Sequence, residues 1–129
     1  MPLLAPVSIG DLLDRITILG VKRQHAEGAA LGNVSAELVA LEGAWVAAGL
    51  PADPPERVEL STVNTALWDV EDALRRHEAR GDFDADFITL ARRVYLLNDV
   101  RAALKRAVNL RLGSELVEEK VLPAYGAGD

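Results

Sequence analysis

Apolar residues recur at helical spacing in four successive stretches of the chain. Ile9, Leu12, Leu13, Ile16 and Leu19 follow Ser8 and Asp11, a variant of the capping box, so the spacing predicts a first helix from about Ser8 to Glu27. Gly28 to Asn33 is a run of small residues that reads as a connection. Val34 to Ala48 then predicts a second helix with Leu38, Leu41, Trp45 and Ala48 on one side and Gly49 at its C′ position. In the elbow PADPPE, Asp53 suits an N-cap, Pro54 the first helical position and Glu56 the capping-box position. A third helix is expected over roughly Glu56 to Ala79, broken near Ser61-Thr62, with Val63, Ala66, Leu67, Val70, Ala73 and Leu74 facing inward. Arg80-Gly81-Asp82 turns the chain.

The fourth stretch is the longest. From Asp84 as N-cap to Leu112, with Gly113 as terminator, it predicts a rod of about 43 Å that should touch every other helix. Ser114 is expected to cap a short last helix containing Glu115, Leu116, Glu118, Glu119 and Lys120. Val121, Leu122 and Tyr125 would offer it apolar cover, ahead of a loose GAGD end. Strand patterns, internal repeats and low-complexity tracts are absent from the sequence. The expectation is an all-α protein, one domain over residues 1–129, built as a bundle of about four main helices with a short C-terminal helix and tail.

The fourth helix breaks its own pattern. Phe87, Leu90, Ala91, Val94, Leu97, Leu104 and Val108 gather in one sector, and Asn98, Arg101, Lys105 and Asn109 fall in that same sector. A buried cation without a partner costs several kcal/mol or loses its charge, so something must meet Arg101 and Lys105. Three readings follow. The face runs off the core and the cations emerge on their apolar stems. Or a carboxylate neutralises them inside, with Glu71 or Glu78 on the third helix facing the right way and Glu118 or Glu119 as outer alternatives. Or Asn98, Arg101, Lys105 and Asn109, oriented by Glu71, form a site for an anion, the guanidinium suiting a carboxylate or phosphate held through two bonds.

Composition narrows the classes. The chain has 129 residues, a net charge of −6 and a pI near 4.9, which argues against a general nucleic-acid binder. With no cysteine there is no disulfide framework, thiolate nucleophile or cysteine-based zinc site. The N-terminus MPLLAPVS has neither a basic region nor a sustained apolar run, and no stretch approaches a membrane span, so a cytoplasmic protein is expected. Asn33-Val34-Ser35 matches a glycosylation sequon but reads as a turn and helix start. His25 and His77 have no metal constellation around them, and neither a metal nor a cofactor is expected. Arg23, at the end of the first apolar stripe, either snorkels or faces inward. Trp68 lies off the inner stripe and needs cover from a helix, the tail or a partner. With Ile18 and the C-terminal segment it offers a surface for an assembly module or a homodimer. Glu56-x-x-Glu59 followed by Asp69-x-x-Asp72 is a weak version of the carboxylate ladders with which helical nucleotide pyrophosphohydrolases hold Mg²⁺. All-helical chorismate mutases offer only an analogy of architecture.

At VNTALWDVED, FITLARRVYLLNDVRAALKRAVN and SELVEEK the sequence resembles a family of small bacterial proteins that constitute a domain of unknown function. The similarity extends to SIGDLLDRITIL and NVSAELVAL and so spans nearly the whole chain. It implies a stand-alone helical domain, occasionally found near glycan-related or repeat-containing proteins, and it transfers no catalytic residues. The family pattern places an aromatic soon after EEK, whereas EEKVLPAY delays it here to Tyr125. The expected function is binding of an anionic small molecule, or of an acidic segment of a partner protein, on the fourth helix. An assembly module is the competing class, and an Mg²⁺-dependent or chorismate-mutase-like enzyme is a weaker one.

Overall fold

The structure, a computed structural model, describes residues 1–125, so the expectation of a loose GAGD end lies outside the described residues. It consists of four helices, α1 (Ile9–His25), α2 (Gly28–Ala47), α3 (Pro55–Arg80) and α4 (Ala85–Arg111), with no strand among the described residues. None of the described helices is long and apolar enough to cross a membrane. The all-α reading holds, but the hub is different. α1 packs against each of the other three helices, while α4 touches only α3 and α1. The reason lies in how α1 is buried. Gly10, Leu13, Asp14, Ile16, Thr17, Leu19 and Val21 are all buried, which leaves α1 apolar or small on more than one face. By contrast α4, though longest, runs past the seventeen residues of α1. Phe87, Leu90, Val94 and Leu97 are accordingly only half-buried, on α3, and Leu104 and Val108 alone join the main core.

That core unites Leu13, Ile16 and Leu19 of α1 with Leu38 and Trp45 of α2, Leu60 of α3 and Val108 of α4. Trp45 is the anchor expected of it. Its indole N–H donates to the carbonyl of Pro51 at 2.7 Å, so the ring is both packed and satisfied, and the elbow after α2 is pinned to the helix.

Several boundaries differ from expectation for local reasons. The run Gly28 to Asn33 is helical and opens α2. Ala29, Ala30 and Leu31 are strong helix formers, and Gly28 alone takes the positive φ (57°) that reverses the chain after Ala26 and Glu27. α3 is unbroken at Ser61-Thr62, where the Thr62 hydroxyl donates back to the Val58 carbonyl at 3.0 Å. Its N-cap is Pro54 with Pro55 in the first turn, one residue later than expected for each role. The caps of α1 and α4 match expectation: Ser8 Oγ accepts from the Asp11 amide and Asp84 from the Phe87 amide, each at 3.0 Å. The last helix does not form. Beyond Gly113 (φ 69°) residues 117–125 follow no helix or turn, because too few apolar residues recur to dock a helix there.

Glu56 is not a capping-box residue. It is buried against the last turn of α4, where Arg111 donates Nε at 2.8 Å and Nη2 at 2.5 Å to its carboxylate. The Arg111 bond holds the Glu56 carboxyl below its usual 4.5, against an opposing push from burial. A depressed folded value means that the pair stabilises fully above the unfolded value and is lost as pH falls through the folded one. Arg111 is exposed to solvent, which screens the pair and keeps its worth small. Glu56→Gln should therefore lower stability only slightly at pH 7 and flatten the fall in stability below pH 4.5, measured by urea denaturation across pH.

Candidate functional site

The carboxylates that meet the cations of α4 come from α1. Asp14, 1% exposed, accepts Nε of Arg101 at 2.9 Å and Nη2 at 2.6 Å, the side-on fork of a guanidinium. The Asn64 amide of α3 donates to both Asp14 and Thr17 Oγ1 at 3.0 Å, and the Thr17 hydroxyl donates to the Asp14 carbonyl at 2.7 Å. Asn98 accepts from Arg101 Nη1 at 3.3 Å. The Asp14 bonds hold the Arg101 guanidinium above its already high value, opposed by desolvation. Each Nη still carries one N–H unengaged by the described residues.

One turn further on, Lys105 Nζ reaches Asp11 at 3.3 Å and Glu118 at 3.0 Å. Asn109 does something different again. Its Oδ1 accepts the amide of Gly10 at 2.6 Å in the buried first turn of α1, and Ser114 Oγ accepts the amide of Ile9 at 3.0 Å. With Ser8 Oγ serving the amide of Asp11, the amides of the first three helical residues all have acceptors, two of them on residues about a hundred positions away. The helices approach closely there. A Cβ on Gly10 would collide with the Lys105 carbonyl.

The segment after Gly113 lies back along α4 as an extended strap. Glu118 bonds Ser8 Oγ at 2.8 Å as well as Lys105, Glu119 accepts from Arg106 at 3.2 Å, Lys120 pairs with Asp99, and Tyr125 meets the Tyr95 ring edge-on at 5.3 Å. Between strap and helix is a cleft of about 590 Å³, walled by Asn98, Asp99, Arg101, Lys105, Arg106 and Asn109 on α4 and by Glu118, Glu119 and Lys120 on the strap. Asn98, Arg101, Lys105 and Asn109 thus line one cleft, and they are also internally bonded.

Glu71 is not part of it. Among the described residues neither Glu71 nor Glu78 bonds Arg101 or Lys105; Glu71 is half-buried on α3, and Asp14 already fills the place it would need. The carboxylate ladder does not assemble either. Glu56 is taken by Arg111, Asp72 pairs with Arg76 on its own helix, and Glu59 and Asp69 are exposed. The one grouping of three ligand-type side chains among the described residues is His77, Asp82 and Asp84 at the α3–α4 turn. Helix caps account for it. His77 Nδ1 sits 3.0 Å from the Asp82 carbonyl, and Asp84 caps α4. Trp68 finds cover on His25, stacked at 4.3 Å and 14°, Ile18 is half-buried and Arg23 is exposed.

The sequence reading misses Asp11, Asp14, Thr17 and Asn64 as partners, whereas Glu118, one of its alternatives, does meet Lys105. A signal is nonetheless present in α1: Gly10, Asp14, Thr17 and Val21 repeat at helical spacing as a small and polar stripe beside the apolar one.

No curated protein and no solved structure matches the chain. The model of one family, described as Family of unknown function (DUF6165), matches residues 4–125, which take in all four helices and the strap. The chain belongs to that family.

Proposed function

We propose that the protein binds an anionic group in the cleft between α4 and the strap. One observation carries this reading: the cleft that holds Arg101 and Lys105 is already filled in part by carboxylates of the chain's own strap, seated on Lys105 and Arg106. An internal pair that served only to fix the helices would be complete with Asp14 and Asp11. The strap adds two more carboxylates, both largely exposed, whose bonds a soluble anion can replace. Arg101 is fixed by Asp14 and Asn98 and keeps one unengaged N–H on each Nη, so it presents donors at little entropic cost. Lys105 supplies a compact charge one turn away.

Citrate serves as the probe. At concentrations well above its Kd it should raise the melting temperature of the full chain by a few degrees beyond sodium chloride of equal ionic strength. Lys105→Gln should fold and lose most of that increment. An equal rise with sodium chloride, or an unchanged rise in Lys105→Gln, would sink the reading.

A further inference from the structure

Resting on that reading, we infer that the cleft recognises an extended peptide carrying two adjacent carboxylates followed by a cation, and that the strap is the chain's own copy of this ligand. The strap shows how such a peptide is read. The first carboxylate spans Ser8 Oγ (2.8 Å) and Lys105 Nζ (3.0 Å), and the second takes Arg106 Nη1 at 3.2 Å. The cation that follows pairs with Asp99, almost two turns back along α4, and an aromatic five residues later closes on Tyr95. The order of these contacts fixes a direction: the peptide runs antiparallel to α4.

The pattern is a charge code, and a bare anion satisfies only part of it. Without the strap, Lys105 keeps Asp11, Arg106 loses its partner and Asp99 is left without its cation. A peptide of sequence Glu-Glu-Lys restores every one of these pairs, whereas phosphate or citrate leaves Asp99 unanswered. The strap has the properties of a displaceable occupant. Glu118 and Glu119 are 48% and 69% exposed, residues 117–125 make no backbone ladder, and the tether begins at Gly113, whose positive φ marks a turn. A tethered competitor acts at an effective concentration of the order of millimolar. The strap therefore sets a threshold that a partner must exceed, by avidity or by a third negative charge.

The experiment uses the full chain as wild type and as Glu118→Gln/Glu119→Gln, with a fluorescent peptide copying residues 117–125 and a control with both glutamates replaced by glutamine. In Glu118→Gln the side-chain amide oxygen still accepts from Ser8, so the first turn of α1 keeps its cap, and Glu119→Gln alone provides a milder opening. The double variant should bind the acidic peptide roughly 10-fold or more tightly than wild type does, since its cleft is no longer populated by its own carboxylates. That gain should vanish with the glutamine peptide and when Lys105→Gln is added. Equal affinity for the acidic and glutamine peptides, or no gain in the opened variants, overturns the inference. If citrate still raises the melting temperature in that case, the cleft takes small anions only and the anion-binding reading stands; if citrate is also silent, both fall.

Discussion

Arg101→Ala should lower the stability of the protein by about 3–5 kcal/mol, because it leaves Asp14 charged and buried with only the Asn64 amide beside it. Urea denaturation at pH 7 measures the loss. The cost belongs to the carboxylate left behind and not to the net worth of the pair, which gives the prediction a second arm. Replacing Asp14 and Arg101 together by Leu and Met should recover most of the stability, since apolar residues of similar volume often match a buried ion pair. If Arg101→Ala costs less than about 1 kcal/mol, Asp14 is reached by water and the network is not the rigid back wall described above. Arg101 is consequently a poor position at which to test ligand binding, since truncation there damages the scaffold before any ligand is added. Lys105, whose partners Asp11 and Glu118 are both within reach of water, is the cleaner choice.

Gly10→Ala should destabilise the protein, because Gly10 alone among the described glycines has neighbours close to an added Cβ. The added carbon would lie inside the contact distance of the Lys105 carbonyl, a backbone atom in mid-helix that cannot swing aside, and close to Asn109 Oδ1 at 3.0 Å. α1 would have to back away from α4, lengthening the Gly10–Asn109 bond and loosening the Asp14–Arg101 fork on the next turn. Overpacking of this kind costs about 1–3 kcal/mol and occasionally more. Gly20→Ala is the matched control, since nothing lies near a Cβ there and Ala favours a helix by roughly 1 kcal/mol over Gly. Thermal denaturation of the two variants should therefore move in opposite directions. A Gly10→Ala protein as stable as wild type would mean that α1 and α4 do not approach as closely as described.

What the sequence discloses follows from what each kind of signal measures. Four helices, the caps Ser8 and Asp84 and the anchor Trp45 are legible because apolar spacing and capping chemistry are local. The hub is not, because the contacts of a helix depend on where its neighbours end. α4 is long yet overshoots α1, and α1 is short yet central. At the candidate site, the misplaced polarity of Asn98, Arg101, Lys105 and Asn109 marks the face of α4 that meets α1 and the strap. A helical wheel turns Glu71 and Glu78 of α3 inward, but it does not say which neighbour lies opposite. Asp14 sits beside Leu13 and looks like a surface charge in a stripe of leucines and isoleucines. Ser114 resembles a cap, which makes the strap look helical. Its extended seat on α4 depends on charge pairs thirteen residues apart that no short window contains.

The bond between the Gly10 amide and Asn109 closes a loop of 99 residues, and Ile9 to Ser114 closes one of 105. On a ribosome, the first turn of α1 therefore has no partner for its leading amides until the far end of α4 and Ser114 have emerged. Its assembly is then among the last events of folding, since loops of this length form slowly compared with the local turns of α2 and α3. Until that closure the beginning of α1 remains frayed, and the buried face that makes it the hub is open to chaperones or to a second nascent chain. The contact that completes the candidate site is also the one by which α1, the first of these four helices to be synthesised, registers that α4 has been made.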